Sequence, residues 1–129
     1  MSLKSLPDIK NKDDIKKLVN NFYVKVVADD LLGPVFEDVA HTDWTLHLPK
    51  MYDFWETVIL GGTYTKGNPV TRHLEIDKQN NLERKHFDQW LLLFFETVDE
   101  YFTGPKAKEI KERAVRISQV IQKRIKSVR

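Results

Sequence analysis

One histidine, His73, has the sequence surroundings of a metal ligand. Asn68 suits the cap of a helix and Pro69 suits its first position. Val70, His73 and Leu74 then share one helix face, because residues three and four apart are neighbours on a helix. In a chain without cysteine, an imidazole on this face is a candidate iron ligand. A lone inward histidine is more often an ordinary core residue with satisfied hydrogen bonds, so its spacing leaves both interpretations open.

Four longer segments repeat apolar residues at spacings of three and four, which is the period of an α-helix. The segments are 15–27, 44–59, 87–102 and 107–125. No segment shows the strict two-residue alternation of a strand, so we predict an all-α fold with about four substantial helices and one or two short ones. Tyr23, His47 and Trp90 lie on the first, second and third stripes, which turns their polar groups inward.

The helix boundaries follow from capping residues and helix breakers. We expect Asp13 or Asp14 to begin the first helix, Gly61-Gly62 to end the second, and Gly104-Pro105 to separate the third from the fourth. Pro49 conflicts with the second stripe, because proline removes a backbone hydrogen bond inside a helix. Either the second helix begins near residue 48, or a longer helix kinks at Pro49.

Two further expectations concern the third helix. Residues 90–95 are apolar nearly all round, which predicts a central, buried helix. His86 lies in the charged run Glu83-Arg84-Lys85-His86, so we expect it near the surface.

Length and composition predict one domain, 1–129, with residues 1–10 as a loose N-terminal extension. The absence of cysteine excludes disulfides, thiolate chemistry and iron–sulfur ligation. We expect neither nucleic acid nor a membrane as a partner, because the net charge is only +2 and no apolar run approaches the length of a membrane span. The N-terminus has no apolar signal core, so we expect a cytoplasmic protein.

The C-terminal segment is strongly basic. Between residues 106 and 129 there are nine Lys and Arg against two Glu, a local charge of +7. The simpler interpretation is a solvated helix face with cations toward the helix C-terminus. The alternative is a patch for a membrane surface or an acidic partner.

From about Ile15 to Ile125 the chain resembles the truncated haemoglobins, most closely their third group. The resemblance rests on motifs that occur in order: Phe22-Tyr23, Leu32-Gly33-Pro34-Val35-Phe36, Trp44-x-x-His47 before Phe54-Trp55, Gly67-Asn68-Pro69-x-x-x-His73-Leu74, and Phe87-x-x-Trp90-Leu91. Each motif alone is weak, but the ordered set over most of the chain is specific. The resemblance implies a two-over-two helical sandwich around haem b.

The same resemblance implies roles for individual residues. His73 matches the proximal iron ligand, and Tyr23, His47 and Trp90 match the distal residues. Phe36 matches the phenylalanine that packs on the porphyrin, and Lys50 and Arg72 match positions that can pair with its propionates. The remaining wall of the haem cavity is then formed by Met51, Phe54, Trp55 and Ile76.

A haem protein of this kind binds O₂, NO and CO, and the distal donors predict tight O₂ binding with a role in O₂ and NO chemistry rather than transport. The phenol of Tyr23 and the indole of Trp90 can donate to O₂, which carries partial negative charge when bound. His47 either gates access or assists proton transfer. Consumption of NO needs an external electron donor or reductase, so enzymatic activity stays open. The alternatives are a peroxidase-like haem enzyme and, from a different class, a cofactor-free helical interaction module.

Overall fold

A computed structural model of the chain describes residues 6–35, 44–61 and 82–128. These residues form no strand, and their four helices are α1 (Lys12–Ala28), α2 (Trp44–Leu60), α3 (Arg84–Tyr101) and α4 (Pro105–Val128). Helix α1 packs against α2 and α3, and α4 packs against α3 and α2. Each apolar stripe is therefore covered by two neighbouring helices, and the all-α prediction is confirmed. Of the described helices, none is both long and apolar enough to cross a bilayer.

Helix α1 begins earlier than the sequence predicted. The side chain of Asn11 accepts a hydrogen bond of 3.0 Å from the N–H of Asp14, and the Asp14 carboxylate accepts one of 2.8 Å from the N–H of Lys10. The Asn11 side chain thus satisfies a backbone donor that the helix itself leaves open, and Asp14 holds the residue before the cap. The assignment of the start to Asp13 or Asp14 is therefore wrong, because both residues lie inside the first turn.

Helix α2 runs without a break from Trp44 to Leu60 with Pro49 inside it. The longer of the two predicted helices is therefore the one that forms. The helix stops where predicted, because Gly61 has a φ of +79°, a left-handed conformation that glycine adopts without steric cost.

Helix α3 is less buried than its apolar middle predicted. Phe94 is fully buried, but Leu92 is 59% exposed and Leu91 and Leu93 are only partly buried. Two neighbours, α1 and α4, pack on α3, and a helix covered on two sides keeps a third side in solvent. The expectation of burial all round is therefore wrong.

His86 is buried rather than near the surface, so that expectation is also wrong. Its Nδ1 accepts a hydrogen bond of 2.9 Å from the backbone N–H of Glu83 at the start of α3. The imidazole thus satisfies a backbone donor at the helix entrance, which explains why it turns inward despite its charged neighbours.

Residues 7–9 are tied to the start of α4 and are not a loose extension. The carboxylate of Asp8 accepts hydrogen bonds from the N–H groups of Lys106 (3.0 Å) and Ala107 (2.9 Å). The N–H of Thr103 donates to the carbonyl of Pro7 at 2.9 Å, and the side chain of Ile9 is buried in the core. We call this arrangement of residues 7–9 on residues 103–107 the N-terminal clasp.

Candidate functional site

An apolar crevice lies where the four helices converge. It encloses about 20 Å³, which is enough for one water-sized or diatomic guest. All four helices contribute to its lining, which consists of Tyr23, Met51, Phe54, Trp55, Phe87, Trp90, Ile117, Ser118 and Ile121. The crevice therefore combines two polar aromatic side chains with a wall that is otherwise almost entirely apolar.

Ring contacts position Tyr23 and Trp90 relative to each other. Phe22 lies between them, with its ring centroid 4.9 Å from that of Tyr23 and 5.4 Å from that of Trp90. Trp90 lies parallel to Phe94 at a centroid distance of 5.4 Å. Since Phe22 and Phe94 are fully buried, they form a rigid base for both crevice residues.

A polar contact fixes the same pair of helices next to the crevice. The carboxylate of Asp29, just after α1, accepts a hydrogen bond of 2.6 Å from the Gln89 amide on α3. Its other oxygen accepts hydrogen bonds from the N–H groups of Leu31 and Leu32. Gly33 then approaches α1 so closely that a Cβ there would lie 2.5 Å from the carbonyl oxygen of Val27. The end of α1 is thereby held beside Trp90.

His47 on α2 turns toward Tyr23. The two rings meet edge to face, with centroids 5.2 Å apart and an interplanar angle of 82°. The Nε2 atom of His47 is buried. The imidazole thus occupies an inward position beside the crevice.

The phenol of Tyr23 is protonated at physiological pH, and burial reinforces this state. The side chain is 7% exposed, and burial raises the pKa of its phenol because the charged phenolate loses its hydration. The hydroxyl therefore stays protonated at physiological pH and keeps its ability to donate a hydrogen bond.

The wall on α2 is built from aromatic contacts. Trp55 is almost fully buried and lies against Phe94 at a centroid distance of 5.1 Å. Phe54 packs on Trp55 at the same distance, and Met51, one turn earlier, is also buried. These three predicted wall residues, Met51, Phe54 and Trp55, all line the crevice.

The structure therefore brings together six of the predicted site residues: Tyr23, His47, Met51, Phe54, Trp55 and Trp90. Lys50 is exposed on α2 and makes no ion pair with the part of the chain that the structure describes. The remaining predicted residues lie outside the described ranges: Phe36, Arg72, His73 and Ile76.

Four crevice residues were not among the predicted site residues. They are Phe87 on α3 and Ile117, Ser118 and Ile121 on α4. Ile117 and Ile121 belong to the apolar stripe of α4, but a stripe does not reveal which neighbour it meets. Ser118 is 2% exposed, and its hydroxyl donates to the carbonyl of Val115 at 2.8 Å. Its polarity is satisfied within its own helix, so it adds little polarity to the crevice.

The arrangement favours a small guest that accepts hydrogen bonds. An O–H and an N–H donor line an apolar space that holds about one small molecule, at about 20 Å³. In such surroundings a hydrogen bond to a partly charged acceptor is stronger than in water.

Comparisons with known proteins agree with this architecture. The family model of the bacterial-like globins matches residues 8–123. Over 115 residues the chain is 31% identical to the group 3 truncated hemoglobin ctb of Campylobacter jejuni, and the match covers 87% of this chain and 88% of that protein.

Solved structures show the same likeness. The crystal structure of group III truncated hemoglobin from Campylobacter jejuni matches with a TM-score of 0.78 and 30% identity, covering 97% of this chain and 95% of that one. The structure of THB1 from Chlamydomonas reinhardtii matches with a TM-score of 0.63 and 23% identity, over 87% of each chain. The second match supports the fold alone.

Proposed function

This chain belongs to the bacterial-like globin family, as a group III truncated haemoglobin, and we propose that it binds haem b and uses it to bind O₂ and other diatomic gases. Globin membership implies haem-based gas binding in general. The finer proposal assigns the proximal iron ligand to His73 and the gas site to the crevice. One observation carries it: Tyr23 and Trp90, two hydrogen-bond donors, line the same small apolar space.

The residues around the crevice fit haem in their chemistry. When bound, haem supplies an iron atom that binds O₂, NO and CO, with O₂ gaining partial negative charge there while CO stays nearly neutral. In its neutral form, an imidazole such as that of His73 would hold the haem iron. Tyr23 and Trp90 offer an O–H and an N–H toward the gas, and Met51, Phe54 and Trp55 exclude water around it.

The distal donors select O₂ over CO. A hydrogen bond to a charged acceptor contributes about 1.5–3 kcal/mol, and about 1.4 kcal/mol corresponds to a factor of ten in affinity. A tyrosine phenol is protonated at physiological pH, and burial raises the pKa of Tyr23 further, so its donor is present throughout that range. The protein therefore holds O₂ tightly, which suits O₂ and NO chemistry better than transport.

We propose that His47 acts as a gate rather than as a catalytic acid. Its ring packs on Tyr23 and its Nε2 is buried, so the imidazole lies inside the protein beside the gas site. A rotation toward solvent would open a path to the crevice. This role is consistent with the position of His47 near the start of α2, two residues before Pro49.

The remaining predicted residues are proposed to hold the porphyrin. Lys50 is exposed next to Met51, so its ammonium group can reach a carboxylate at the rim of the crevice. We assign Lys50 and Arg72 to the haem propionates, Phe36 to the porphyrin face, and Ile76 to the cavity wall.

Tight O₂ binding makes consumption of NO the leading enzymatic proposal. One NO and one O₂ take up one electron to give nitrate. That electron would come from an external donor, and bound haem would supply the iron that accepts it. Tyr23 and Trp90 support this activity by keeping O₂ in place until NO arrives.

Absorption spectroscopy tests the proposal. The purified protein should bind one equivalent of hemin with a Soret band, and its ferrous form should shift on addition of O₂, NO and CO. A protein that binds no hemin would contradict the proposal and favour the cofactor-free interaction module. Turnover of hydrogen peroxide with a peroxidase dye, at a rate exceeding NO consumption, would favour the peroxidase-like alternative.

A further inference from the structure

Helix α4 presents a row of cations to solvent from its middle toward its C-terminal end. Arg113, Arg116, Lys123 and Arg124 are exposed and surround Val120, which is 53% exposed. Their positions, at spacings of three, four, three and one, place them on one side of the helix. We call these five residues the basic face.

The charges of the basic face are largely uncompensated. Arg113 lies 3.6 Å from Glu109, but no ion pair joins Arg116, Lys123 or Arg124 to the described part of the chain. The two acidic residues of α4 both precede Arg113, and none follows it. Like charges on one helix face repel each other, so this arrangement does not favour the helix itself.

The helix dipole explains only part of this pattern. Cations are stabilised by the dipole within the last turn of a helix. Arg113 and Arg116 lie well before that turn, since α4 continues to Val128. Their placement therefore points to a binding partner rather than to helix stability.

The adjoining side of the same turns lines the candidate gas site. Ile117 and Ser118 lie between Arg116 and Val120 in the sequence, Ile121 follows Val120, and all three line the crevice together with Trp90. A helix with its side chains is only about 10–12 Å across. A partner on the basic face would therefore lie within about one helix diameter, ~10–12 Å, of the crevice.

We propose that the basic face docks an acidic one-electron carrier protein that reduces the haem iron. This inference rests on the proposed function, since it supplies the external donor which that function needs. The carrier loses one electron and the ferric iron gains it, with no bond formed or broken. Complexes of this kind are small and weak, and complementary charge mainly speeds their association.

The observations favour an acidic protein over a membrane surface. A helix that lies on a bilayer inserts an apolar face into it. The apolar face of α4, with Ile110, Ala114, Ile121 and Ile125, is instead buried in the core. Val120 is the single exposed large apolar side chain on the basic face, which suits a flat, charged contact.

Reduction of the haem-loaded ferric protein by a reduced plant-type 2Fe–2S ferredoxin, a small acidic one-electron donor, tests the inference. The variant carries Arg116→Glu, Lys123→Glu and Arg124→Glu. A control with the same change in net charge carries Lys10→Glu, Lys16→Glu and Lys108→Glu, at exposed positions outside the basic face. Far-ultraviolet circular dichroism and the Soret band check that both variants fold and load haem.

At low ionic strength we expect the basic-face variant to be reduced ~10–100-fold more slowly than wild type, because charge steering sets the association rate. The control should change less than about threefold, and salt should slow the wild type toward the rate of the variant. A small neutral reductant, reduced lumiflavin, should reduce all three proteins equally. Calorimetry with oxidised ferredoxin should show weaker binding to the basic-face variant alone, a readout that is independent of haem turnover.

Equal rates for wild type and the basic-face variant, with a normal Soret band, would overturn this inference and leave the proposed function intact. A missing Soret band in wild type would overturn both. If the variant instead loses binding to phosphatidylserine vesicles while its reduction by ferredoxin is unchanged, the basic face is a membrane contact and the carrier proposal is wrong.

Discussion

In the N-terminal clasp, the carboxylate of Asp8 accepts hydrogen bonds from three backbone N–H groups, those of Ile9, Lys106 and Ala107. In the crevice, the polar side chains of Tyr23 and Trp90 are positioned by aromatic rings and line a space for a guest. The clasp therefore uses a polar group to join two distant parts of the chain. The crevice uses polar groups to meet a ligand.

This difference has a measurable consequence. Removal of a polar group from the clasp should lower the free energy of unfolding and leave ligand kinetics unchanged. Removal of a hydroxyl from the crevice should change ligand kinetics. The comparison is wrong if a clasp variant changes ligand kinetics, or if a crevice variant leaves them unchanged.

The largest effect is expected at Gly104 in the clasp. Its φ is +130°, and a Cβ there would lie 2.7 Å from Cγ of Asp8. Backbone strain and overpacking together should lower the free energy of unfolding of Gly104→Ala by about 2–4 kcal/mol. Gly61→Ala is the matched control, because Gly61 has a φ of +79° but open space around its Cβ position. In urea unfolding, the free energy of unfolding of the control should fall by only about 1 kcal/mol. If both variants lose the same free energy of unfolding, steric contact with Asp8 is not the cause.

Tyr23→Phe should give the next largest effect, in the crevice. Loss of the hydroxyl removes a donor worth about 1.5–3 kcal/mol, so O₂ should dissociate from the ferrous protein ~10–100-fold faster. CO dissociation should change less than about threefold, because CO gains little from a donor. Tyr52→Phe is the control, since the Tyr52 hydroxyl donates to Asn20 at the surface. If stopped-flow measurements give the same O₂ dissociation rate for Tyr23→Phe and wild type, Tyr23 does not donate a hydrogen bond to bound O₂.

Asp8→Ala should have a smaller effect, again in the clasp. Loss of its hydrogen bonds to the start of α4 should lower the free energy of unfolding by about 1–2 kcal/mol at pH 7. Asp30→Ala, at an exposed residue in the turn after α1, should stay within about 0.5 kcal/mol of wild type.

The pH dependence of Asp8→Ala follows from the pKa of Asp8. Burial alone would raise this pKa, but hydrogen bonds from Lys106, Ala107 and Ile9 and the charge of Lys106 lower it below the ordinary 3.8. A lowered pKa in the folded state stabilises the fold above the unfolded pKa, and the contribution is lost as the pH falls through the folded pKa. The stability difference between wild type and Asp8→Ala should therefore be full above about pH 5 and should shrink below pH 3.8. A constant difference down to pH 2 would contradict the account.

Local patterns were sufficient to predict most of the fold. The spacing of apolar residues located all four described helices, because a buried face repeats with the helical period. Gly61 and the Gly104-Pro105 pair marked real helix boundaries, since glycine and proline act through the backbone of their own position.

Local sequence patterns did not predict the contacts between residues that are distant in the chain. Nothing near Asp8 shows that its carboxylate meets Lys106, and nothing on the stripe of α4 shows that Ile117 faces Trp90. Leu92 is exposed because α3 has packed neighbours on two sides, which is a property of the assembled fold. The convergence of Tyr23, His47 and Trp90 was implied by the resemblance to truncated haemoglobins rather than by spacing.

The most direct test of the central claim is the absorption spectrum of His73→Gly, with His86→Gln as the control histidine variant. The account predicts that His73→Gly loses most of its Soret band with hemin, and that added imidazole restores it by replacing the missing ligand. His86→Gln should keep a normal Soret band, because His86 caps α3. A His73→Gly protein that binds hemin as tightly as wild type, with an unchanged spectrum in the absence of imidazole, would contradict ligation by His73.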